Sequence, residues 1–205
     1  MYEFKKKEVS MPSPYIVFGT SRSGTSFVSG VLNNELDISM GEYFVPPVTA
    51  FQPDDTGYEC GALRGILNPF VEGETTILEF YAALAKYIKK REAENEHWGF
   101  KDHGPIMSYC YFMFFESPRL IICERDEKLV RQSLARLAAY QGLVNDRNDN
   151  GIDRWVDQRM VLSRRVLERL DKSAYLHIYF DGMREWTKDE VAEKVRSRWP
   201  DDFKS

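Results

Sequence analysis

PYIVFGTSRSGTSFVSGVLNN, residues 14–34, decides how the rest of the chain is read. Its first six residues form an apolar, β-branched run that stops at Gly19, the pattern of a buried strand. Phe27, Val28, Val31 and Leu32 then recur at the spacing of one helix face. Between them lies GTSRSGTS, residues 19–26, a tight loop rich in glycine and hydroxyls. Such a strand–loop–helix suits an oxyanion, because consecutive backbone N–H groups and the helix N-terminus converge on it. The loop follows the frame G-x-x-x-x-G-K-[ST] except at Thr25, which stands where an NTPase carries lysine. A cation, Arg22, lies inside the loop instead, among the hydroxyls of Thr20, Ser21, Ser23, Thr25 and Ser26. The plainer alternative is a strand-to-helix turn whose serines and threonines cap the helix.

Working outward, residues 119–124 (RLIICE) and 175–180 (YLHIYF) read as two further strands, and 98–101 (WGFK) as a short one. Ile77, Phe80, Tyr81, Leu84 and Ile88 give a helical stripe, as do Leu129, Val130, Leu134, Leu137 and Ala138. Trp155, Met160, Val166, Leu167 and Leu170 outline another helix after the turn-rich stretch 145–151. Strands alternating with helices predict an α/β fold: three layers, with a central, largely parallel sheet flanked by helices. Residues 1–13 read as a loose lead-in to a single domain over 14–205. Residues 34–68, rich in Gly, Pro and Asp, read as irregular, and a stretch that long usually serves function. Tyr43, Phe44, Phe51 and Tyr58 within it could line an acceptor pocket or pack in the core.

The 205 residues are 43% apolar and 14% aromatic, enough for a core and against global disorder. Twenty-eight basic against 32 acidic side chains leave a net charge of −4, the opposite of a generic nucleic-acid binder. Three cysteines without Cys-x-x-Cys spacing suggest neither a disulfide framework nor zinc, and no metal is expected. The longest apolar stretch, 109–115, is too short to span a bilayer, and no signal peptide stands at the start. The expectation is a soluble, cytoplasmic protein with no membrane partner.

A second anion site is suggested by PRLIICERDEKLVRQS, residues 118–133. Arg125 stands at the end of a strand and Ser133 eight residues later. The C-terminal ends of parallel strands face the ligand crevice, and arginine grips phosphate through a forked pair of donors. Five cations against three anions from Arg119 to Arg136 make this stretch locally positive in an acidic chain. An ion pair of Arg125 with Asp126 or Glu127, and a solvated Ser133, are the alternatives. His103, in WGFKDHGP (98–105), has the chemistry of a general base at neutral pH. Lys101 and Arg22 could neutralise charge on a leaving oxygen. A loop histidine and a solvated lysine are the alternatives there.

These segments together resemble the sulfotransferases that use 3′-phosphoadenosine 5′-phosphosulfate (PAPS). SRSGTSF is similar to their 5′-phosphosulfate loop, and the Arg125–Ser133 spacing to the element that holds the 3′-phosphate. WGFKDHGP resembles the Lys-x-His-x-Pro segment of cytosolic members, in which the histidine accepts the acceptor's proton and the lysine assists at the cofactor. Glu42, in MGEYF, is similar to the glutamate of heparan-type members and is a rival base. Glu59, in DTGYE, resembles an element of bacterial members. Residues 154–170 and 175–183 resemble the family's late helix and strand. No Arg-Lys-Gly element of the cytosolic kind stands near Ser205. The resemblance implies in-line sulfuryl transfer from PAPS to a hydroxyl or amine of a small-molecule or carbohydrate acceptor, releasing adenosine 3′,5′-bisphosphate. A P-loop kinase or NTPase, with Glu124 as a Walker-B-like carboxylate, and an inactive nucleotide-binding relative remain the competing readings. Neither the acceptor nor the oligomeric state is legible.

Overall fold

A computed structural model describes residues 13–20, 22–42, 60–95, 97–102, 115, 118–140, 157, 160–161, 164–165, 167–181 and 186–203. Within them the expected α/β architecture is present. Four strands, β1 (Tyr15–Gly19), β2 (Gly99–Asp102), β3 (Arg119–Arg125) and β4 (Tyr175–Phe180), form one sheet in the order β2-β1-β3-β4. Every pairing is parallel. Around the sheet stand α1 (Thr25–Glu35), α2 (Gly61–Val71), α3 (Ile77–Glu94), α4 (Glu127–Tyr140) and α5 (Lys188–Arg198).

β1 lies inside the sheet, and all five of its residues are buried. A strand covered on both faces needs no polar alternation, which is why YIVFG reads as a continuous apolar run. Side chains still alternate in direction. Ile16, Phe18, Phe100, Leu120 and Ile122 join Phe80, Leu84 and Ile88 of α3 on one face. Tyr15, Val17, Ile121, Cys123 and Ile178 join Val28, Val31 and Leu32 of α1 and Val191 and Val195 of α5 on the other. These are the three layers.

Two helices depart from the sequence reading. The irregular stretch expected over 34–68 ends in α2, whose Gly61, Gly65 and Pro69 look like breakers. Leu63, Ile66, Leu67 and Phe70 nevertheless repeat at helical spacing and pack into the α3-side core. α5 was not expected at all. It starts with a capping box in which Thr187 and Glu190 each satisfy the other's backbone N–H, and α3 starts likewise with Thr76 and Glu79. Among the described residues no helix is long and apolar enough to cross a membrane.

The segment after α5 is clasped to the start of the sheet. Asp202 accepts hydrogen bonds from the buried Tyr15 hydroxyl and from Arg119, whose guanidinium also lies over the Tyr15 ring. Burial alone would raise the Asp202 carboxyl, but the bonds from Arg119 and Tyr15 outweigh it and hold it below its ordinary range. Asp202→Ala should therefore cost about 1–3 kcal/mol, since it strands a buried hydroxyl, and lower the thermal midpoint by several degrees. Because the folded-state value is depressed, that difference should be full at neutral pH. It should shrink as pH falls below about 4, where the carboxyl protonates first in the unfolded state, and be lost below the depressed folded-state value. Thermal scans of the two proteins at pH 7 and pH 3 read both effects.

Candidate functional site

The strand order fixes where a ligand crevice can open. After β1 the chain goes to β2 on one side, and after β3 it goes to β4 on the other. The C-terminal ends of β1 and β3 therefore flank the topological switch point, the place where open α/β sheets bind ligands. The loop 20–24 leaves β1 there, and Arg125 with α4 leaves β3 beside it. Gly19 pairs with Cys123, and a Cβ on Gly19 would lie 2.3 Å from the Cys123 carbonyl oxygen. Only glycine lets the two strands end that close together.

The loop is held tightly. Ser23 is fully buried, and both its N–H and its hydroxyl donate to the Thr20 carbonyl, at 3.1 and 2.6 Å. Gly24, the N-cap of α1, has φ +95°, and an added Cβ would lie 2.5 Å from the Phe180 ring of β4. Phe180 in turn meets Phe27 edge to face. Gly24→Ala thus adds both strain and a clash. α1 differs from α3 and α5 in having neither a side-chain cap nor an acidic residue in its first turn. A helix N-terminus of this kind suits an external oxyanion.

Among the described residues Arg22, Arg125 and Lys101 stand at this end of the sheet, with Arg64 and Arg136 near them. Arg22 has φ +74°, a left-handed conformation that costs a non-glycine residue about 1–2 kcal/mol. It is fixed by its own contacts: its Nε donates to Ser133 Oγ at 2.9 Å, and its carbonyl accepts from Arg125 Nη1 at 3.4 Å. The loop and the Arg125–Ser133 element, assigned from sequence to separate phosphates, are therefore in direct contact. Arg125 Nε is buried with no hydrogen-bond partner, and among the described residues no carboxylate pairs with Arg22 or Arg125. The alternative, an ion pair of Arg125 with Asp126 or Glu127, does not form; Glu127 pairs with Arg131 and Arg164 instead. Burial, then Arg125 and Arg136, lower the Arg22 guanidinium below its ordinary range.

Lys101 comes from the end of β2. It is only 7% exposed, not a solvated end, and its ammonium lies 3.1 Å from Ser26 Oγ near the start of α1. Burial, with Arg64 and Arg22 nearby, pulls it down to about 7 from an ordinary value of 10.5. Thr25 is likewise buried beneath the loop. Lysine thus reaches the loop from a neighbouring strand, although the loop carries none of its own. The sequence reading missed Arg64, Phe180 and the buried Asp102; of these only Asp102, next to Lys101 in the quoted motif, had a local signal.

Glu42 is held by cations. Its carboxylate pairs with Lys90 at 2.9 and 3.0 Å and with Arg91 at 3.6 Å, both on α3. The Lys90 hydrogen bond first, and the charges of Lys90 and Arg91, hold it below the ordinary carboxylate range despite some burial. That makes it a poorer proton acceptor. Glu124 points to the α3 face of the sheet, opposite α1, and bonds to His177 at 2.7 Å. Ser21, His103, Glu59 and the four aromatic residues proposed for an acceptor pocket lie outside the described residues.

No known protein family matches this sequence, and no characterised protein does either. Among solved structures, one from Chloroflexus aurantiacus j-10-fl, described as a candidate kinase, is similar with a TM-score of 0.47 and 11% identity. It is covered to 99%, over 91% of this chain. The sulfotransferase domain from the Synechococcus PCC 7002 olefin synthase is similar with a TM-score of 0.43 and 16% identity, covered to 75% over 98% of this chain. At these values neither likeness carries a functional assignment.

Buried positive charge without a bound anion should cost stability. The folded state holds the Lys101 proton less tightly than the unfolded state, so this group's penalty is full below about pH 7. It fades as pH rises towards 10.5. Lys101→Met should therefore raise the thermal midpoint of the unliganded protein at pH 6 and change it much less at pH 10. Equal shifts at the two pH values would mean that the ammonium is not desolvated.

Proposed function

We propose that this protein is a PAPS-dependent sulfotransferase. The observation that carries the reading is the half-buried pair Arg22 and Arg125 at the switch point, which meets no carboxylate among the described residues, with the buried Arg125 Nε lacking a partner. A buried guanidinium donor with no acceptor is costly unless an anion supplies one. The sequence motifs named above favour a nucleotide with phosphates at both ends of its ribose. In this reading the α1 N-terminus, Arg22 and the loop residues Thr20 to Ser26 hold the 5′-phosphosulfate. Arg125 and Ser133 hold the 3′-phosphate.

PAPS supplies an activated sulfuryl group. The acceptor oxygen or nitrogen forms a bond to sulfur while the bond between sulfur and the bridging phosphate oxygen breaks, leaving adenosine 3′,5′-bisphosphate. His103 takes the proton released by the acceptor. Lys101 lies beside the loop, where its positive charge offsets the charge gathering on the leaving oxygen. Its low proton affinity gives anion binding a consequence: the bound phosphate draws a proton onto Lys101 when pH exceeds about 7. Glu42, held by Lys90 and Arg91, is the weaker alternative as base.

The second reading is ATP-dependent phosphoryl transfer, favoured by the strand–loop–helix frame itself. Against it stand Thr25 at the lysine position and Glu124, whose side chain points away from the loop's face towards His177. A third is a binding protein of the same architecture without catalysis, cytoplasmic like the enzyme it would derive from.

Thermal unfolding separates these. At 100 times its dissociation constant, adenosine 3′,5′-bisphosphate should add about 2.7 kcal/mol of stability, a rise of about 5–10 °C at this size. ATP with Mg²⁺ should do far less, and a shift confined to ATP with Mg²⁺ would replace this reading with the second. Arg22→Ala and Arg125→Ala should each weaken bisphosphate binding about tenfold or more. His103→Ala should leave binding intact and reduce PAPS-dependent turnover by about 10²–10⁴. A fully active His103→Ala would move the base to another residue.

A further inference from the structure

We propose that Arg136, on α4, is a further ligand for the 3′-phosphate, acting beside Arg125 and Ser133. The assignment rests on the proposed nucleotide site and extends it to a residue outside both of the sequence motifs that suggested it. Ser133 and Arg136 are three residues apart on one helix, so they share a face. Val130 and Leu134 of the same helix turn into the core. Ser133 instead meets the loop after β1, where its Oγ accepts from Arg22 Nε at 2.9 Å.

Arg136 is exposed, yet its side chain does not simply extend into water. Its Nε donates to the Gln132 carbonyl at 3.3 Å, one turn back along α4. Helical side chains lean towards the N-terminus, and this bond fixes the lean, so the guanidinium is drawn back towards the turn that carries Ser133. Its charge reaches the loop: Arg136 and Arg125 are the two arginines whose proximity lowers Arg22.

The fork of that guanidinium is open. With Nε engaged by Gln132, neither Nη group of Arg136 has a partner among the described residues. Arg131, on the same helix, meets Glu127 and Asp157. Arg22, Arg125 and Arg136 thus stand near one another without a carboxylate among the described residues, and like charges so placed disfavour one another. Ser133 accepts from Arg22, which leaves its own O–H able to donate. Such a set of donors fits a phosphate monoester, which carries about −1.5 to −2 charges at neutral pH and three acceptor oxygens. A forked guanidinium can give two parallel bonds to it.

Calorimetric titration of the full chain at fixed ionic strength, with adenosine 3′,5′-bisphosphate and with adenosine 5′-monophosphate, tests this. Arg136→Gln should weaken the bisphosphate about three- to tenfold and leave the monophosphate nearly unchanged, with an unaltered circular dichroism spectrum. Lys128→Gln removes the same charge from an exposed position near the start of α4 and should leave both affinities nearly unchanged. A bisphosphate loss as large in Lys128→Gln as in Arg136→Gln would reduce the effect to net charge and overturn the proposal. An undiminished preference for the bisphosphate in Arg136→Gln, or an equal loss for both nucleotides, would overturn it too while leaving the nucleotide reading in place. A wild type without any preference for the bisphosphate would overturn that reading, and the role of Arg136 with it.

Discussion

β1 lies between β2 and β3 with both faces buried, and the register of that three-strand unit sets everything at the candidate site. Val17 pairs with Lys101 on one side, and Gly19 pairs with Cys123 on the other. One strand thus brings the end of β2, the loop after β1 and the start of α4 to the same edge. A one-residue slip would turn Lys101 to the opposite face and bury Gly19's contact with Cys123 under a clash. The apolar core on both faces is what makes such a slip costly. It is also what lets the edge carry groups that oppose folding.

Those groups are the cations Arg22, Arg125 and Lys101, of which Arg22 and Arg125 meet no carboxylate among the described residues. Arg22 holds a left-handed backbone conformation and is lowered by burial and by Arg125 and Arg136; Lys101 is pulled down by burial, Arg64 and Arg22. Nothing in folding alone favours this arrangement. Strain, desolvation and like-charge proximity at one strand edge are the signature of a site shaped for a ligand. Elsewhere in the chain basic side chains meet carboxylates. Arg119 and Tyr15 close on Asp202, and Lys90 and Arg91 on Glu42. The difference between these arginines is the carboxylate: Arg91 and Arg119 meet one and, among the described residues, Arg22 and Arg125 do not, while the Nε atoms of Arg91 and Arg125 are both buried without a partner.

The strands were legible because β1, β3 and β4 are short apolar runs bounded by polar residues or glycine. α3 was legible because its stripe is long. α2 was hidden behind Gly61, Gly65 and Pro69, which mark breaks in sequence although packing of Leu63 and Phe70 outweighs them. α5 has few apolar residues among many charges, and its clearest signal is the Thr187–Glu190 box. At the site, the loop and Arg125 were readable because strand and motif coincide. The bond from Arg22 to Ser133 spans 111 residues and the approach of Lys101 to Ser26 spans 75. Such contacts are products of topology, so no local pattern announces them. Glu42 is a further case: its carboxylate pairs with Lys90 and Arg91, on a helix remote in sequence.

The central claim is that this edge recognises both ends of a ribose bisphosphate. Calorimetric titration with adenosine 3′,5′-bisphosphate and with adenosine 5′-monophosphate tests it most directly, since the two differ only in the 3′-phosphate. The account predicts that the bisphosphate binds at least about tenfold more tightly, and that Arg125→Ala abolishes the difference. Equal affinities in the wild type, or a preference that survives Arg125→Ala, would contradict it.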